Sequence, residues 1–575
     1  MCAPRAGFTH TPSARAPSQT RALQSLSRAR PLWAAGRAAY TLPSVQANTS
    51  KAILAIDLGT SGPKVALVST AGEILGSEFE ETPLILLPGG GAEQEPDAWW
   101  RAIVTAARRL LARELIPRSA IAGVCCTSQW SGTVPLGRDG RPLMNAVIWM
   151  DSRGAKYMPE VLGGRIKIEG YGPKRLLRWL RLTGGAPGKS GKDPFAHVLF
   201  IRRERPEIYE RTAKFLEVKD YLNYRLTGLM AASFDSITLH WVTDNRDLSR
   251  VVYDPTLLRW AGVERERLPD LKRASDVLGP VTAAVAAELG IPEGTPVVMG
   301  TPDVMSAAVG SGAVQDYAGH LYVGTSSWIT CHVPFKKTAL ADNIASLPSA
   351  LPGRYLIAGE QECAGKCLMF LRDNLLFPDD ALNPGGARPE QVYARFDELA
   401  EAAAPGAGGV IFMPWLYGER TPIEDHHVRG GFFHMSLGTT RAQLVRSVLE
   451  GVALNSRWYL EAIERFIGRR VDGLNFIGGG AKSRVWCQIF ADVLNREIRQ
   501  IAEPIDANAR GAGLLGAAGL GLIELQDIAA LVTVQERFAP TPANRALYDA
   551  LAQEFVGLYK RNRKAHGRLA RLFDR

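Results

Sequence analysis

The tripeptide Gly-Thr-Ser follows an apolar run of strand length at two distant places in this chain, residues 59–61 and 324–326. The first run, Ala52–Asp57, is followed across the turn by another apolar segment, so the pattern predicts a β-hairpin. The second copy, within residues 320–332, also predicts strand, turn and strand. We interpret the two copies as an internal duplication at the scale of a domain, which predicts two α/β units that each open with a hairpin.

The length of 575 residues leaves room for about two to four domains. We expect a disordered N-terminal extension over residues 1–50, because this segment is rich in Ala, Arg, Ser and Pro and has no acidic residue. The first α/β unit is expected over residues 51–297 and the second over 298–545. A basic C-terminal helix or tail is expected over residues 546–575.

Periodicity predicts the main elements of both units. In the first unit they are a strand at 74–79, a helix from Pro96, strands at 121–127 and 145–149, an irregular insertion at 160–194 and helices over 195–228. In the second unit they are a strand at 296–300, a small-residue helix capped by Asp303, a helix at 441–466, a strand at 473–477, a helix capped by Ser483, and a Gly/Ala-rich helix at 508–521.

The net charge is +10, but the position of the basic residues along the chain argues against a nucleic-acid-binding protein. Residues 1–50 hold six Arg and no acid, and residues 556–575 hold seven Lys or Arg against one Asp, so the rest of the chain is slightly acidic. A nucleic-acid binder is expected to carry its basic patch on the folded domain. We also find no apolar run of about 18 residues, so no membrane span is expected.

Seven cysteines without a CxxC pair predict reduced thiols and a cytoplasmic protein. The segment Cys363-x3-Cys367 has no matching second half, so a structural zinc site is not expected. The Arg- and Ser-rich extension could be an organelle transit peptide or an upstream segment from a misassigned start codon. The bias toward Ala, Gly and Arg along the whole chain favours the second explanation.

The first turn carries the strongest chemical signal. Gly59, Thr60 and Ser61 offer backbone N–H groups and hydroxyls that suit a phosphate, and Lys64 adds a positive charge. Asp57 ends the preceding strand, where its carboxylate could hold Mg²⁺ directly or through water. An ordinary tight hairpin would look much the same. The second turn, Gly324-Thr325-Ser326, favours the phosphate hypothesis, since two such turns can close on opposite sides of a triphosphate.

Two further segments are candidates for nucleotide binding and for catalysis. Gly479 and Gly480 lie in a glycine run between an apolar strand and the Ser483 cap, where backbone can approach a flat ligand closely. Asp303 follows a strand at the junction of the units and could accept the proton of a sugar hydroxyl as that hydroxyl attacks phosphorus. Plain helix capping is the alternative role for Asp303.

A third group of residues suits a polyol. Gln129, Trp130 and Ser131 follow one strand, and Trp149 and Asp151 follow another. Polar side chains beside an aromatic face can pair with sugar hydroxyls and cover the C–H face. A core tryptophan and a local ion pair between Asp151 and its neighbour Arg153 are an equally good explanation of the second segment.

These motifs together resemble the FGGY family of carbohydrate kinases, and most closely its xylulokinase-like branch, over residues 52–540. The residues that carry the resemblance are Asp57-Leu-Gly-Thr-Ser-Gly-x-Lys64, Glu93-Gln-Glu-Pro-x-x-Trp-Trp100, Trp149-x-Asp-x-Arg153, Lys219-Asp-Tyr-Leu-x-Tyr-Arg-Leu-Thr-Gly228, Asp303, Gly324-Thr-Ser-Ser327, Tyr417-Gly-Glu-Arg-Thr-Pro422 and Gly478-Gly-Gly-Ala-Lys-Ser483.

The resemblance implies a fold like that of actin and hexokinase, with two ribonuclease-H-like domains flanking a central cleft. It implies ATP and Mg²⁺ as cofactors, Asp57 at the magnesium and phosphate end, and Asp303 as the general base. It also implies that Gly324 and Thr325 contact phosphate and that Gly479 and Gly480 contact adenosine. Xylulokinases usually carry Gln-Met-His-Gly where this chain has Gln129-Trp-Ser-Gly132, and Asn or Gln at Val304, so D-xylulose is not the expected best substrate.

The function expected from the sequence is ATP-dependent phosphorylation of a hydroxyl group of a small sugar or polyol. The alternatives are a related kinase for another polyol or a hydroxylated signal molecule, and a non-catalytic sugar or nucleotide sensor on the same fold. The expected partner is a small molecule rather than a nucleic acid or a membrane, and a homodimer is left open.

Overall fold

The computed structural model describes residues 51–168 and 170–573, so the expected extension over residues 1–50 lies outside the described residues. Two large sheets dominate this part of the chain. The strands of the first sheet are β1 (Ala52–Gly59), β2 (Gly62–Ser69), β3 (Ile74–Phe79), β4 (Ile121–Ser128), β5 (Val277–Pro280) and β6 (Pro296–Pro302), in the order β5-β6-β4-β1-β2-β3.

The second sheet has eight strands. They are β7 (Gly319–Val323), β8 (Ser327–Val333), β9 (Thr338–Ala339), β10 (Ile344–Pro348), β11 (Tyr355–Ala358), β12 (Gly473–Ile477), β13 (Glu497–Ile501) and β14 (Val534–Phe538), in the order β9-β10-β11-β8-β7-β12-β13-β14.

The pairing within the two sheets confirms the duplication that the turns predicted. In the first sheet, β1 pairs antiparallel with β2 and parallel with β4, which in turn is parallel to β6. In the second sheet, β7 pairs antiparallel with β8 and parallel with β12, which is parallel to β13. Each unit therefore opens with a hairpin whose first strand starts a run of three parallel strands.

The described helices of at least eight residues are α1 (Pro96–Leu111), α2 (Pro173–Thr183), α3 (Pro194–Glu204), α4 (Val218–Thr227), α5 (Asp303–Gly310), α6 (Val392–Ala402), α7 (Arg441–Ile467), α8 (Arg484–Leu494), α9 (Ala507–Gly519) and α10 (Arg545–Phe573). The shorter strands are Ile85–Leu87, Gly91–Gln94, Val134–Leu136, Ala146–Val147, Lys214–Leu216, Ala231–Ser233, Thr243–Asp244, Val252–Tyr253, Asp270–Lys272, Ile411–Met413 and Gly431–Phe433. None of the helices in the described ranges is long and apolar enough to cross a membrane.

The boundary expected at residue 298 is corrected by the strand pairing. Strand β6 spans Pro296–Pro302 and pairs with β4, so it is part of the first sheet and a boundary at 298 would cut it. The second hairpin begins only at Gly319. The apolar run at 296 is the last strand of the first unit and not the first strand of the second. The sequence pattern does not distinguish the two, because both kinds of strand are short apolar runs.

Helices α5 and α9 lie directly against each other because glycine replaces side chains at their contact. A Cβ atom at Gly310 would lie 1.7 Å from the carbonyl oxygen of Ala507, and one at Gly511 would lie 1.9 Å from that of Ser306. Helix α9 also packs on the first sheet, where Gly513 faces Val68. The Gly/Ala-rich helix of the second unit is thus embedded against the first sheet.

Two segments differ from the secondary structure expected from the sequence. The expected irregular insertion at 160–194 contains helix α2, whose Trp179 is fully buried. The expected helical stretch at 195–228 is interrupted by the strand Lys214–Leu216, which pairs with Val134–Leu136. These are short elements that only tertiary packing stabilises.

The basic C-terminal segment is a helix, α10, and it belongs to the core of the second unit. Its residues Tyr548, Phe555 and Leu558 are buried in the same apolar cluster as the second sheet and α7. The positive charges therefore lie on the outer side of a helix that is anchored by its apolar face.

Candidate functional site

Asp57 and Asp303 lie at the same edge of the first sheet. Thr127 on β4 pairs with Asp57 on β1, and also with Thr301 on β6, two residues before Asp303. The three strands are parallel, so their carboxyl ends open together at this edge, where α/β sheets commonly bind ligands. Two carboxylates that are 246 residues apart in sequence are thereby brought into one cleft.

The environment raises the pKa of both carboxyl groups. Burial raises the pKa of Asp303 to about 8, and the negative charge of Asp57 adds to the increase, while Val304 N–H donates to Asp303 Oδ1 at 2.8 Å and opposes it. Burial also raises the pKa of Asp57 to about 6 against the opposing charge of Lys64. Once it is ionised, a carboxylate whose pKa lies near 8 is a stronger base than an ordinary aspartate, so it takes a proton from a hydroxyl more readily.

A bulge and a buried ion pair set the direction of the strand that leads to Asp303. Gly300 has φ +68°, and the pairing of β6 with β4 shifts register between Val298 and Thr301. The carbonyl of Met299 accepts from Lys219 Nζ at 3.0 Å and from Asn223 Nδ2 at 2.7 Å. Lys219 is also paired with Asp220, and both side chains are almost fully buried.

The first turn lies beside Asp57, but Lys64, which follows the turn, contacts the second unit. Gly59 and Thr60 are partly buried and Ser61 is exposed. Lys64 Nζ forms an ion pair with Asp506 at 3.0 Å and donates to the carbonyl of Ile505 at 2.7 Å. Lys64 therefore joins the first hairpin to the start of α9, and the free cation that the sequence indicated for phosphate is paired here.

The predicted sugar residues Gln129 and Trp149 are joined to the first turn by hydrogen bonds. Trp149 Nε1 donates to Thr60 Oγ1 at 2.9 Å, and Thr60 Oγ1 donates to Gln129 Oε1 at 3.2 Å. Gln129 Nε2 donates to Gln94 Oε1 at 2.8 Å, and Gln94 Nε2 donates to the carbonyl of Thr60 at 2.8 Å. Gln94 was missed as a site residue, although it lies in the quoted segment 93–100.

Trp130 and Ser131 place their polar atoms inside the protein. Trp130 Nε1 donates to the carbonyl of Ser236 at 3.0 Å. Ser131 is in the left-handed backbone region, at φ +68°, and its hydroxyl donates to the carbonyl of Lys192 at 2.7 Å. The only hydroxyl proton of Ser131 is thus already used.

Asp151 is part of a buried ion pair. It is 0% exposed, and its Oδ2 accepts from Ala92 N–H and from Arg153 Nε, both at 2.8 Å. Arg153 Nη2 also contacts Glu93 at 2.6 Å. The local ion-pair explanation of this motif is therefore favoured over the contact to a sugar.

The second turn is held by the chain that follows β11. Gly324 N–H donates to Ser326 at 2.9 Å, and the carbonyl of Thr325 accepts from Ala364 N–H at 3.0 Å. Thr325 is exposed, whereas Gly324 and Ser326 are partly buried. The outer face of this turn is open to a ligand.

Two glycines in the run after β12 differ in their exposure to solvent. A Cβ atom at Gly479 would meet nothing within 4 Å, and this residue is exposed. Gly480 is buried against Val323 and Trp486. Ser483 accepts from Trp486 N–H at 3.0 Å and donates to Asp397 at 2.7 Å, so its hydroxyl acts as the expected helix cap.

An acidic and basic cluster from the second unit also reaches the cleft, and the sequence did not single it out. Arg420 pairs with Glu360 at 2.8 Å and with Glu362 at 2.7 Å. Lys192 of the first unit lies 3.9 Å from Glu362. The charge of Glu360 contributes to the raised pKa of Asp303. Arg420 lies in the quoted segment 417–422, which was the available signal.

Comparison with known protein families agrees with this geometry. Residues 52–310 match the N-terminal domain model of the FGGY family of carbohydrate kinases, and residues 320–520 match its C-terminal domain model. The chain belongs to the FGGY family of carbohydrate kinases. The first match ends after α5, in agreement with the assignment of β6 to the first sheet.

Known relatives of this FGGY kinase differ in the substrate that they are named for. A xylulose kinase of Staphylococcus epidermidis is 27% identical over 89% of this chain and 97% of its own length. An autoinducer-2 kinase of Enterobacter sp. is 28% identical over 88% of this chain and 94% of its own length. The crystal structure of a xylulose kinase from Rhodospirillum rubrum superposes with a TM-score of 0.76 at 26% identity, covering 90% of this chain and all of that one.

Proposed function

We propose that this FGGY kinase transfers the γ-phosphoryl group of ATP to a hydroxyl of a small sugar or polyol, with Asp303 as the general base. The observation that carries the proposal is the position of Asp303 at the end of β6, beside Asp57 and with a pKa raised to about 8. A base of this strength at the edge where three parallel strands open suits proton abstraction from an alcohol.

In the proposed reaction, the oxygen of the acceptor hydroxyl forms a bond to the γ-phosphorus while the bond from phosphorus to the bridging oxygen of ADP breaks. The proton of the hydroxyl passes to the carboxylate of Asp303. The first turn and the Gly324 turn supply donors to phosphate oxygens. The exposed Gly479 leaves room for the adenosine.

The residues of the cleft fit a magnesium ion that arrives with ATP. Lys64, which lies beside Asp57, is already paired with Asp506, so a divalent cation would offset the negative charge of Asp57 and of the phosphates. Among the described residues no cluster of three or more His, Cys, Asp or Glu could hold a metal. Asp57 would therefore share the ion with phosphate oxygens and water, as Mg²⁺ sites commonly do. When bound, the ion supplies charge neutralisation of the phosphates.

The sugar pocket supports a substrate other than D-xylulose. Trp130 and Ser131 replace the usual methionine and histidine, and each donates the only polar hydrogen of its side chain to a backbone carbonyl. A pocket that cannot pair one hydroxyl of a sugar binds that sugar less well, because the hydroxyl loses its hydrogen bonds to water and gains none. The different names of the relatives agree with a substrate that varies between members.

The compartment and assembly are further parts of the proposal. The six described cysteines are buried and free, which suits the reducing cytoplasm. We also propose a homodimer as the assembly. Size-exclusion chromatography with light scattering measures the mass of the particle in solution.

The experiment is ADP production with a panel of pentuloses, hexuloses, aldonates and alditols, with and without Mg²⁺. The expected result is sugar-dependent ADP release that falls about 10²-fold or more in Asp303→Asn, while ATP binding by calorimetry changes little. Near-wild-type turnover of that variant would remove Asp303 from the role. Absence of ADP release with every compound would favour the sensor instead.

A further inference from the structure

Tyr322 on β7 carries a phenol group that no other part of the proposed mechanism uses. It pairs across the hairpin with Trp328 on β8, and the two rings stack with centroids 3.9 Å apart and planes at 11°. Trp328 is itself fixed, since its Nε1 donates to His320 Nε2 at 3.1 Å. Burial lowers the pKa of His320 to about 3, so its ring is neutral and can accept this bond.

The stacked ring lies between the two glycine loops. A Cβ atom at Gly324 would lie 2.3 Å from the hydroxyl oxygen of Tyr322, and one at Gly478 would lie 3.1 Å from its ring. The phenol therefore touches the second phosphate turn, while the ring touches the loop proposed for adenosine. Only glycine leaves enough space at both places.

The hydroxyl also lies within the field of the catalytic carboxylates. Burial and the negative charges of Asp303 and Asp57 raise the pKa of Tyr322, so the phenol keeps its proton at neutral pH. Among the hydrogen bonds of the described residues, none involves this hydroxyl. A neutral phenol can donate a hydrogen bond to an anion without adding positive charge to the pocket.

We propose that Tyr322 is a catalytic residue whose hydroxyl donates a hydrogen bond to the terminal phosphate of ATP as it is transferred. The inference rests on the proposed kinase function. The acceptor proton still passes to Asp303, and Tyr322 keeps its own proton throughout. Its contribution is a fixed dipole at the place where charge develops, which is strongest in a water-excluded cleft.

The test is Tyr322→Phe, which keeps the stacked ring and removes only the hydroxyl. We expect kcat to fall about 10- to 10²-fold, with the melting temperature and the affinity for ADP alone unchanged. Binding of ADP with aluminium fluoride, a mimic of the transferred phosphoryl group, should weaken by a similar factor. Tyr355→Phe is the matched control, because it removes a hydroxyl that donates to the carbonyl of Asn245 at 2.9 Å, away from the phosphate turns.

The outcomes separate this inference from the kinase function itself. If Asp303→Asn is inactive and Tyr322→Phe has wild-type kcat and aluminium fluoride affinity, the role of Tyr322 is overturned and the kinase function stands. A loss of ADP affinity and melting temperature in step with kcat would show a packing role, which also overturns it. If the wild type releases no sugar-dependent ADP, both proposals fail together.

Discussion

Asp57 and Asp303 are held on either side of a single residue, Thr127, which pairs with Asp57 on one strand and with Thr301 on the other. This relationship explains why the negative charge of Asp57 contributes to the raised pKa of Asp303. The two groups titrate as a pair, so changing one should move the apparent pKa of the other.

The first prediction concerns the pH dependence of kcat/KM. The base must be ionised, so kcat/KM for the sugar should fall as the pH is lowered through about 8. In Asp57→Asn the nearby negative charge is gone, which lowers the pKa of Asp303, so the acidic limb should shift to lower pH even though the maximal rate is smaller. Profiles between about pH 5 and 10 measure this.

Asp316→Asn is the control for that experiment, because Asp316 pairs with Arg354 at 2.6 Å and is not among the main causes of the raised pKa of Asp303. Its acidic limb should match the wild type. An unshifted limb in Asp57→Asn would contradict the coupling.

The second prediction concerns stability without ATP or metal. The pKa of Asp303 in the folded protein lies above its unfolded value of 3.8, so its contribution to stability is fully present below that pH and is lost as the pH rises through about 8. Asp303→Asn removes the buried charge and should raise the melting temperature at about pH 9 by about 2 °C or more. The gain should shrink toward about pH 4. An equal gain at both pH values would refute the assignment of the titration to Asp303.

The third prediction concerns the buried pair beneath β6. Lys219→Met leaves Asp220 unpaired and removes one of the two donors to the carbonyl of Met299. Breaking a buried pair costs about 3–5 kcal/mol, so the melting temperature should fall together with kcat. In Lys219→Met with Asp220→Asn the unpaired charge is absent, and we expect stability to recover more than kcat does. Full recovery of kcat would mean that the lysine does not position Asp303.

The fourth prediction concerns specificity. Trp130→Met with Ser131→His restores the usual xylulokinase side chains and should shift kcat/KM toward D-xylulose by about tenfold relative to the best substrate of the wild type. The left-handed backbone at Ser131 is compatible with this change, since histidine is among the residues enriched there. A wild type that already prefers D-xylulose over every other compound would contradict the interpretation of both positions.

The fifth prediction concerns residues 1–50. Their composition lacks a pattern that could form a core, and β1 begins at Ala52. A chain starting at Lys51 should keep the kinase activity and the melting temperature of the full chain. Loss of folding on this deletion, seen as loss of the thermal transition, would show that the segment is needed.

The sequence predicted the parts of the site that depend on local pattern. The two Gly-Thr-Ser turns predicted two hairpins, and strand ends placed Asp57 and Asp303, because alternation and turn chemistry are encoded within a few residues. Ser483 was correctly predicted as a helix cap for the same reason.

The sequence did not reveal the tertiary partners of its charged residues. Lys64 was assigned to phosphate and is paired with Asp506, which is distant in the chain. Asp151 was considered for the sugar and lies in a buried ion pair. A charged residue has the same local pattern in either role, so only the position of the competing partner decides between them.

The amino-acid sequence by itself determined that this chain has two related α/β units and the residue types of a phosphoryl-transfer site. Tertiary structure alone decided that β6 completes the first sheet, that α9 crosses to it, and that Tyr322 lies beneath the Gly324 turn. The physical reason is that local propensities depend on neighbours in the chain, whereas pKa shifts, ion pairs and close glycine contacts depend on groups that meet only when distant segments pack together.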